Sequence, residues 1–172
     1  MSFQLLKSKE VLKARVFTLC NQTWRGPNGP FTRQVILHPG AVAMVPFDAK
    51  GRILMIKQFR PSVNSDLLEI PAGTLEKGER PLPCAKRELM EEIGFAASKW
   101  KQLGEIYTAP GFCSERIVLF KAWDLTPQKA KGDEDEFIEV VPMTPREVRR
   151  AVRSGKIHDA KSLSAFLHLE WL

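Results

Sequence analysis

The chain has 172 residues, of which 44% are apolar and 27% are charged, a composition that excludes collagen-like, mucin-like and disordered classes. No apolar run approaches the ~18 residues of a membrane span, and the charges within residues 1–10 argue against a signal peptide. A globular protein of the cytoplasm, with no membrane partner, is therefore expected.

The net charge of +6 is unevenly distributed along the chain. Residues 1–62 hold ten Lys and Arg but only two acids, whereas acidic side chains cluster around residues 79–92 and 133–139. A basic region favours an anionic partner, and dense carboxylates favour a divalent cation. A phosphate-containing substrate bridged to the protein by Mg²⁺ or Mn²⁺ fits both. The three cysteines show no CxxC pairing and predict neither a disulfide framework nor a zinc site.

Strands dominate the first half of the chain. Apolar runs between Gly, Pro and Asn turns predict strands, which lie at 15–20, 31–37, 41–46, 52–59, 67–70, 101–107, 115–123 and 137–141. The first ~40 residues form hairpin-like strands that either cover the core or pair with a second copy of the chain. We therefore treat residues 1–38 as N-terminal strands and residues 39–172 as the main domain.

Helices are marked by their ends. The stretch 81–93 ends at Gly94, a favourable left-handed cap, and its apolar stripe is Leu82, Ala85, Leu89 and Ile93. Thr144-Pro-Arg-Glu147 is a capping box that opens a second helix ending near residue 155. Asp159 is an N-cap for a third helix, whose predicted apolar stripe is Leu163, Phe166 and Leu167. The fold class is α+β, with helices packed on the faces of a mixed sheet.

The first helix concentrates negative charge. Glu88, Glu91 and Glu92 are spaced i, i+3 and i+4 and so lie on one face. Crowded carboxylates repel one another and need counter-charge, which Arg87 and a divalent cation supply. Gly73, in the loop before the helix, has the backbone freedom to aim a main-chain carbonyl at such an ion.

These residues resemble the Nudix box, Gly-x5-Glu-x7-Arg-Glu-U-x-Glu-Glu-x-Gly-U, where U is a bulky apolar residue. The match covers every position, from Gly73 through Glu79 and Arg87 to Phe95. The resemblance implies an α/β/α sandwich around a mixed sheet, here with an N-terminal β-strand extension. It also implies a metal-dependent hydrolase of nucleoside diphosphates linked to another group.

Flanking residues resemble the ADP-ribose pyrophosphatase subgroup. These are residues 69–73, Pro110 placed 15 residues beyond Phe95, Ser114-Glu115, and the C-terminal stretches 133–140 and 155–162. The implied reaction converts ADP-ribose and water to AMP and ribose 5-phosphate, with Mg²⁺, or Mn²⁺ in its place. Enzymes of this subgroup are usually homodimers that exchange N-terminal strands, so a homodimer is expected.

The resemblance also assigns roles by position. The metal ligands are the Ala72 carbonyl, Glu88, Glu92 and Glu136. Glu134 is the general base, although Glu134 and Glu136 are interchangeable in these two roles. Glu91 supports the ligands, and an Arg87–Glu79 ion pair orients helix and loop. The candidate substrate contacts are Arg60 and Arg33 for phosphate, Phe17 for adenine, and Gly111 and Glu115 for the terminal ribose. The histidines receive no catalytic role.

Three alternatives remain open at this level. Another substrate, such as GDP-mannose, a flavin or a dinucleotide, requires the same chemistry. A non-catalytic module that senses ADP-ribose is disfavoured, because all box glutamates are present and no room remains for a DNA-binding domain. The third alternative, an RNA-binding protein, rests only on the pI of about 9.4. No nucleic-acid partner is therefore expected.

Overall fold

The computed structural model describes residues 2–130 and 137–170, and it divides into two compact units. The first unit comprises Met1–Gly40 with Tyr107–Arg116, and the second comprises Ala41–Ile106 with Ile117–Leu172. Two candidate residues of the acidic loop, Glu134 and Glu136, lie outside the described residues.

The first unit contains an antiparallel three-stranded sheet in the order β1-β2-β3. Its strands are β1 (Gln4–Lys13), β2 (Thr18–Gly26) and β3 (Gly29–Leu37). The β2–β3 turn closes with Gly26 opposite Gly29, whose φ of 103° is open to glycine but strained for other residues. The predicted turn is therefore confirmed, with strands that extend further into it than expected.

Strand β1 is an edge strand exposed along its whole length. Its exposed apolar side chains are Leu5, Leu6, Val11 and Leu12, and Phe3 precedes them. The sequence did not predict this strand separately, because a strand solvated on both faces has no apolar alternation to reveal it. Phe17 lies in the turn before β2 instead of within a strand, so that expectation was wrong.

The second unit contains two sheets, in the orders β7-β4-β9-β8 and β10-β5-β6. Their strands are β4 (Ala41–Pro46), β5 (Ile53–Arg60), β6 (Ser65–Glu69), β7 (Ala72–Thr74), β8 (Phe95–Tyr107), β9 (Arg116–Pro127) and β10 (Ile138–Met143). Strands β4 and β9 are parallel, whereas β4 is antiparallel to β7 and β5 is antiparallel to both of its neighbours. The mixed sheet arrangement confirms the predicted α+β class.

Within residues 41–130 and 137–170, the second unit contains the α-helices α1 (Pro81–Ile93), α2 (Pro145–Arg153) and α3 (Ala160–His168) and a short 3-10 helix at Pro61–Val63. Gly94 ends α1 with a φ of 74°, and the Thr144–Glu147 capping box opens α2. The Asp159 carboxylate accepts from backbone N–H groups of the first turn of α3. None of the described helices is long and apolar enough to cross a membrane.

The core of the second unit is built on both faces of β4. Val42 and Met44 pack in one cluster with α1, and Ala43 and Val45 pack in another with α2 and α3. Because strand side chains alternate between faces, this places helices on opposite faces of β4 and gives the expected α/β/α layering. The members of α1 in this core are Cys84, Ala85, Leu89 and Ile93.

Two predicted core positions are exposed. Leu82 of α1 is 38% exposed and Leu167 of α3 is 65% exposed. Both helices begin or end close to these residues, where the apolar stripe turns away from the sheet. Cys84, which was not predicted as a core residue, is fully buried. The three cysteines are free thiols, with Cys20 and Cys84 buried and Cys113 half-buried.

Candidate active site

The centre of the site is the meeting of α1 with the short strand β7. Ala72 and Gly73 pair with Ala43 and Val42 of the central strand β4, which fixes the loop before the helix. Pro81 at the start of α1 and Gly94 at its end set the length of the helix. The carboxylates of α1 therefore meet a backbone segment that the sheet already holds in place.

Arg87 ties the acidic residues together. Its Nη1 donates to Glu88 Oε1 (2.7 Å) and Glu91 Oε2 (2.9 Å), while its Nη2 donates to Glu79 Oε2 (2.9 Å). Hydrogen bonding by Arg87 lowers the pKa of Glu79 below its usual 4.5, and the same contact raises the pKa of Arg87. The predicted pairing of Arg87 with Glu79 is present, and it joins loop to helix.

Glu88 occupies the space in front of Gly73. A Cβ atom added to Gly73 would lie 1.9 Å from the Glu88 carboxyl carbon and 2.1 Å from its Oε1. A larger residue at this position would force the Glu88 side chain to move, so Gly73 is favoured by close approach and not by a positive φ. The absence of a side chain brings the Glu88 carboxylate against the backbone of β7.

Glu92 reaches the same backbone segment from the next turn of α1. Its Oε2 accepts a hydrogen bond from the Ala72 N–H at 2.9 Å. Glu88 and Glu92 therefore converge on two adjacent residues, Ala72 and Gly73, while Glu91 is directed to Arg87. The one-face arrangement predicted from the helical spacing is confirmed.

This donor set fits a hard divalent cation. Carboxylate and main-chain oxygens are the ligands such ions prefer, and Glu88 and Glu92 bring two carboxylates to the Ala72–Gly73 backbone. Within residues 2–130 and 137–170, however, no three Asp, Glu, His or Cys side chains are already grouped as a metal site. Instead, Arg87 and the Ala72 N–H hold the carboxylates as a hydrogen-bonded cluster.

A second polar group lies at the end of β5. Arg60 donates through Nε to Glu69 Oε1 at 2.6 Å, and Lys161 of α3 donates to the other oxygen of Glu69. The Ile70 N–H donates to Ser162 Oγ at 2.9 Å. Arg60 was predicted as a phosphate contact, whereas Lys161 and Ser162 were not predicted, although the stretch 155–162 that contains them was singled out.

The remaining described candidates belong to the first unit. Glu115 accepts from Thr108 Oγ1 at 2.6 Å, and its other oxygen lies 3.7 Å from His38 Nε2. Arg33 donates to the Thr32 carbonyl (3.0 Å) and stacks over the Phe31 ring. Phe17 is half-buried, and Gly111 has open space where a Cβ would be.

The first unit adds a contact that sequence reasoning missed. His38 Nδ1 accepts from the Gly40 N–H at 3.1 Å, and its Nε2 faces Glu115 Oε1 at 3.7 Å. The His-Pro-Gly order of residues 38–40 carries no recognisable signal for this contact. The contact depends on Glu115, which lies 77 positions after His38 in the chain.

Comparison with known proteins agrees with this architecture. The NUDIX domain model matches residues 37–166. The chain is 38% identical over 168 residues to an ADP-ribose pyrophosphatase of Bacillus subtilis (strain 168), covering 96% of this chain and 91% of that protein. It is 33% identical over 190 residues to a GDP-mannose pyrophosphatase of Cronobacter sakazakii (strain ATCC BAA-894), covering 99% and 96%.

A solved structure shares the fold. The crystal structure of an ADP compounds hydrolase superposes with a TM-score of 0.84 at 26% identity, covering 100% of this chain and 95% of that chain. The family match extends over most of the chain and includes the loop and helix that hold the clustered glutamates. The chain belongs to the Nudix family.

Proposed function

We propose that this protein is a metal-dependent hydrolase that splits the pyrophosphate of ADP-ribose into AMP and ribose 5-phosphate. The proposal is supported by the 38% identity to an ADP-ribose pyrophosphatase and by a complete set of box glutamates. Its substrate is a nucleotide sugar, and in its reaction water attacks one phosphorus of the diphosphate while the other phosphate leaves with the group attached to it.

The convergence of Glu88 and Glu92 on the Ala72–Gly73 backbone carries the proposal. These two carboxylates and the Ala72 carbonyl would hold a divalent ion, for which we propose Mg²⁺, with Mn²⁺ as a substitute. Such an ion, when bound, supplies positive charge that stabilises the phosphoryl oxygens in the transition state. Gly73 leaves the space that the Glu88 carboxylate occupies.

The other residues of this unit act on position and charge. Arg87 holds Glu79, Glu88 and Glu91, so that the carboxylates stay on one side of α1. Arg60 binds a phosphate of the substrate, for which its guanidinium has the appropriate geometry. We assign proton abstraction from water to Glu134 and a further metal contact to Glu136, both outside the described residues.

We propose further substrate contacts in the first unit. Arg33 binds phosphate, Phe17 stacks on adenine, and Gly111 and Glu115 bind the terminal ribose. Thr108 and His38 contact the two oxygens of Glu115 and orient its carboxylate. The exposed apolar strand β1 supports a homodimer joined through residues 1–38, and the cytoplasm is the proposed compartment.

GDP-mannose is the second candidate substrate, favoured by the 33% identity to a GDP-mannose pyrophosphatase. Both substrates place a diphosphate between a nucleoside and a sugar, so the same carboxylates serve either. A protein that only senses ADP-ribose is the less favoured alternative, because no box glutamate is missing.

A substrate panel tests the proposal. ADP-ribose, GDP-mannose, a flavin dinucleotide and a dinucleotide are each incubated with the protein and Mg²⁺, and released mononucleotide is measured. We expect the highest kcat/KM for ADP-ribose and loss of turnover with a chelator. A preference for GDP-mannose of about tenfold, equal to about 1.4 kcal/mol of transition-state binding, contradicts the substrate assignment. Tight ADP-ribose binding without any turnover supports the sensing alternative.

A further inference from the structure

The Glu69 carboxylate is one of the few charged groups buried in the second unit. Its relative exposure is 1%, and both of its oxygens are engaged by cations, Oε1 by Arg60 and Oε2 by Lys161. A carboxylate removed from water is stable only when it is paired and hydrogen-bonded. Glu69 is thus a bridge between two cations that lie far apart in the sequence.

Lys161 is itself buried against acids. Its side chain is 12% exposed, and its Nζ contacts both Glu69 and Asp159 Oδ1, the latter at 2.9 Å. Asp159 is the N-cap of α3 and is therefore fixed by the helix it begins. The net charge of these four side chains is zero, because the positive charges of Arg60 and Lys161 offset the negative charges of Glu69 and Asp159.

Arg60 is the most exposed member of this group. Its side chain is 34% exposed, and it uses Nε to contact Glu69. Among the residues that the structure describes, no hydrogen-bond partner is found for its Nη1 and Nη2. The N–H groups on those two nitrogens are donors through which a guanidinium can hydrogen-bond to the oxygens of a phosphate.

We infer that Lys161 is a positioning residue for Arg60 in the proposed hydrolysis, acting through Glu69. By satisfying one oxygen of Glu69, Lys161 leaves Arg60 bound through Nε alone and its two terminal nitrogens available for the substrate diphosphate. Without Lys161, the buried Glu69 carboxylate is paired with Arg60 alone. Its unpaired oxygen then attracts a terminal nitrogen of Arg60, and the two side chains form a bidentate pair. This inference rests on the proposed function.

The ion-paired group around Glu69 is also connected along the chain to the Glu88 and Glu92 carboxylates. Glu69 is followed by Ile70, whose N–H donates to Ser162 Oγ, and by Pro71, whose carbonyl accepts from the Met44 N–H. Ala72, which contacts Glu92, comes next. The start of α3 therefore holds both Arg60 and the segment that leads to the proposed metal site.

A double-mutant cycle tests the inference. We expect Lys161→Met to raise KM for ADP-ribose about tenfold, the usual effect of a lost charged hydrogen bond, with kcat changed by less than about threefold. Lys161→Arg restores a cation and most of the affinity. In an Arg60→Ala background, Lys161→Met has little further effect on KM, since the residue through which it acts is gone. The inference is overturned if the two substitutions raise KM by factors that multiply in the double variant, or if Lys161→Met leaves KM unchanged.

Further measurements separate positioning from stability. Lys99→Met is the matched control, because Lys99 also pairs with an aspartate but is 60% exposed. It should leave KM unchanged. Thermal unfolding is recorded for each variant, and Lys161→Gln replaces Lys161→Met if the latter does not fold. Calorimetric affinity for ADP-ribose without a divalent ion should follow the same cycle, whereas a merely structural role leaves this affinity unchanged for the folded fraction.

Failure of the proposed function gives a different pattern. If the unmodified chain neither binds nor turns over ADP-ribose, the proposed function and this inference fall together. If the unmodified chain turns it over normally and the cycle shows no coupling, only the positioning role of Lys161 is wrong.

Discussion

Glu92 is the carboxylate most directly linked to the backbone of the site. It accepts from the Ala72 N–H, whereas Glu91 is engaged by Arg87. Helical spacing predicted that both lie on one face, but it could not separate their partners. The separation arises because successive residues of a helix point about 100° apart, so Glu92 faces β7 while Glu91 faces Arg87, four residues earlier on α1.

Glu92→Gln should lower kcat by about 100-fold or more, because an amide is a poor ligand for a divalent cation in the transition state. The neutral side chain keeps an oxygen that accepts from Ala72, so the melting temperature should change little. Steady-state turnover of ADP-ribose and thermal unfolding measure the two effects. Near-normal turnover contradicts the ligand role. Glu10→Gln, an exposed glutamate of β1, serves as the control for removal of a charge.

Gly73 provides a second test at the scale of single residues. Gly73→Ala introduces a Cβ at 1.9 Å from the Glu88 carboxyl carbon, so Glu88 must move and the protein should lose about 1–3 kcal/mol of stability. Turnover should fall with it. In a Glu88→Ala background the added methyl has no carboxylate to meet, so the same change should cost much less. Equal destabilisation in both backgrounds, measured by denaturant unfolding, contradicts the close-approach explanation.

At the scale of elements, helices were predicted more accurately than strands. The bounds of α1 were predicted to the residue, because Pro81 and Gly94 are local signals that act on their own backbone. Strand β8 begins at Phe95, six residues earlier than expected, since its pairing with β9 is a long-range contact. The ends of a helix can be predicted from the residues next to them, whereas the length of a strand depends on a partner strand elsewhere in the chain.

The capping box of α2 predicts a pH-dependent stability. Hydrogen bonds from Thr144 lower the pKa of Glu147 below its usual 4.5, so ionised Glu147 stabilises the folded protein. This contribution is present above the ordinary pKa and is lost as the pH falls through the lowered one. The difference in unfolding free energy between wild type and Glu147→Gln should therefore shrink from about pH 7 to about pH 3. A difference that grows in acid contradicts the sign.

At the scale of the whole molecule, the sequence indicated the helix of clustered glutamates but not the ion-paired residues around Glu69. Lys161 lies 92 residues from Glu69, and Ser162 lies 92 residues from Ile70. A capping aspartate and a nearby lysine are common on helices, so nothing in the local pattern marks a buried ion pair. The fold supplies this information by bringing α3 to the end of β6.

The exposed strand β1 predicts assembly. We expect a homodimer, with a mass in sedimentation experiments of about twice the 19.5 kDa of one chain. Val11→Lys, at a side chain 52% exposed, should favour the monomer by placing a charge in an apolar interface. Ser8→Lys adds the same charge at a polar position of β1 and should leave the dimer intact. A monomer for the unmodified chain contradicts the expectation.

The unequal burial of the three thiols has a practical outcome. Burial raises the pKa of the Cys84 thiol to about 12, which leaves it almost entirely protonated and unreactive at neutral pH. Cys20 is enclosed as well, whereas Cys113 is half-buried beside the backbone of Glu115. Mild alkylation should thus modify Cys113 alone, so a fluorophore can be attached at one defined point of the native chain without engineering.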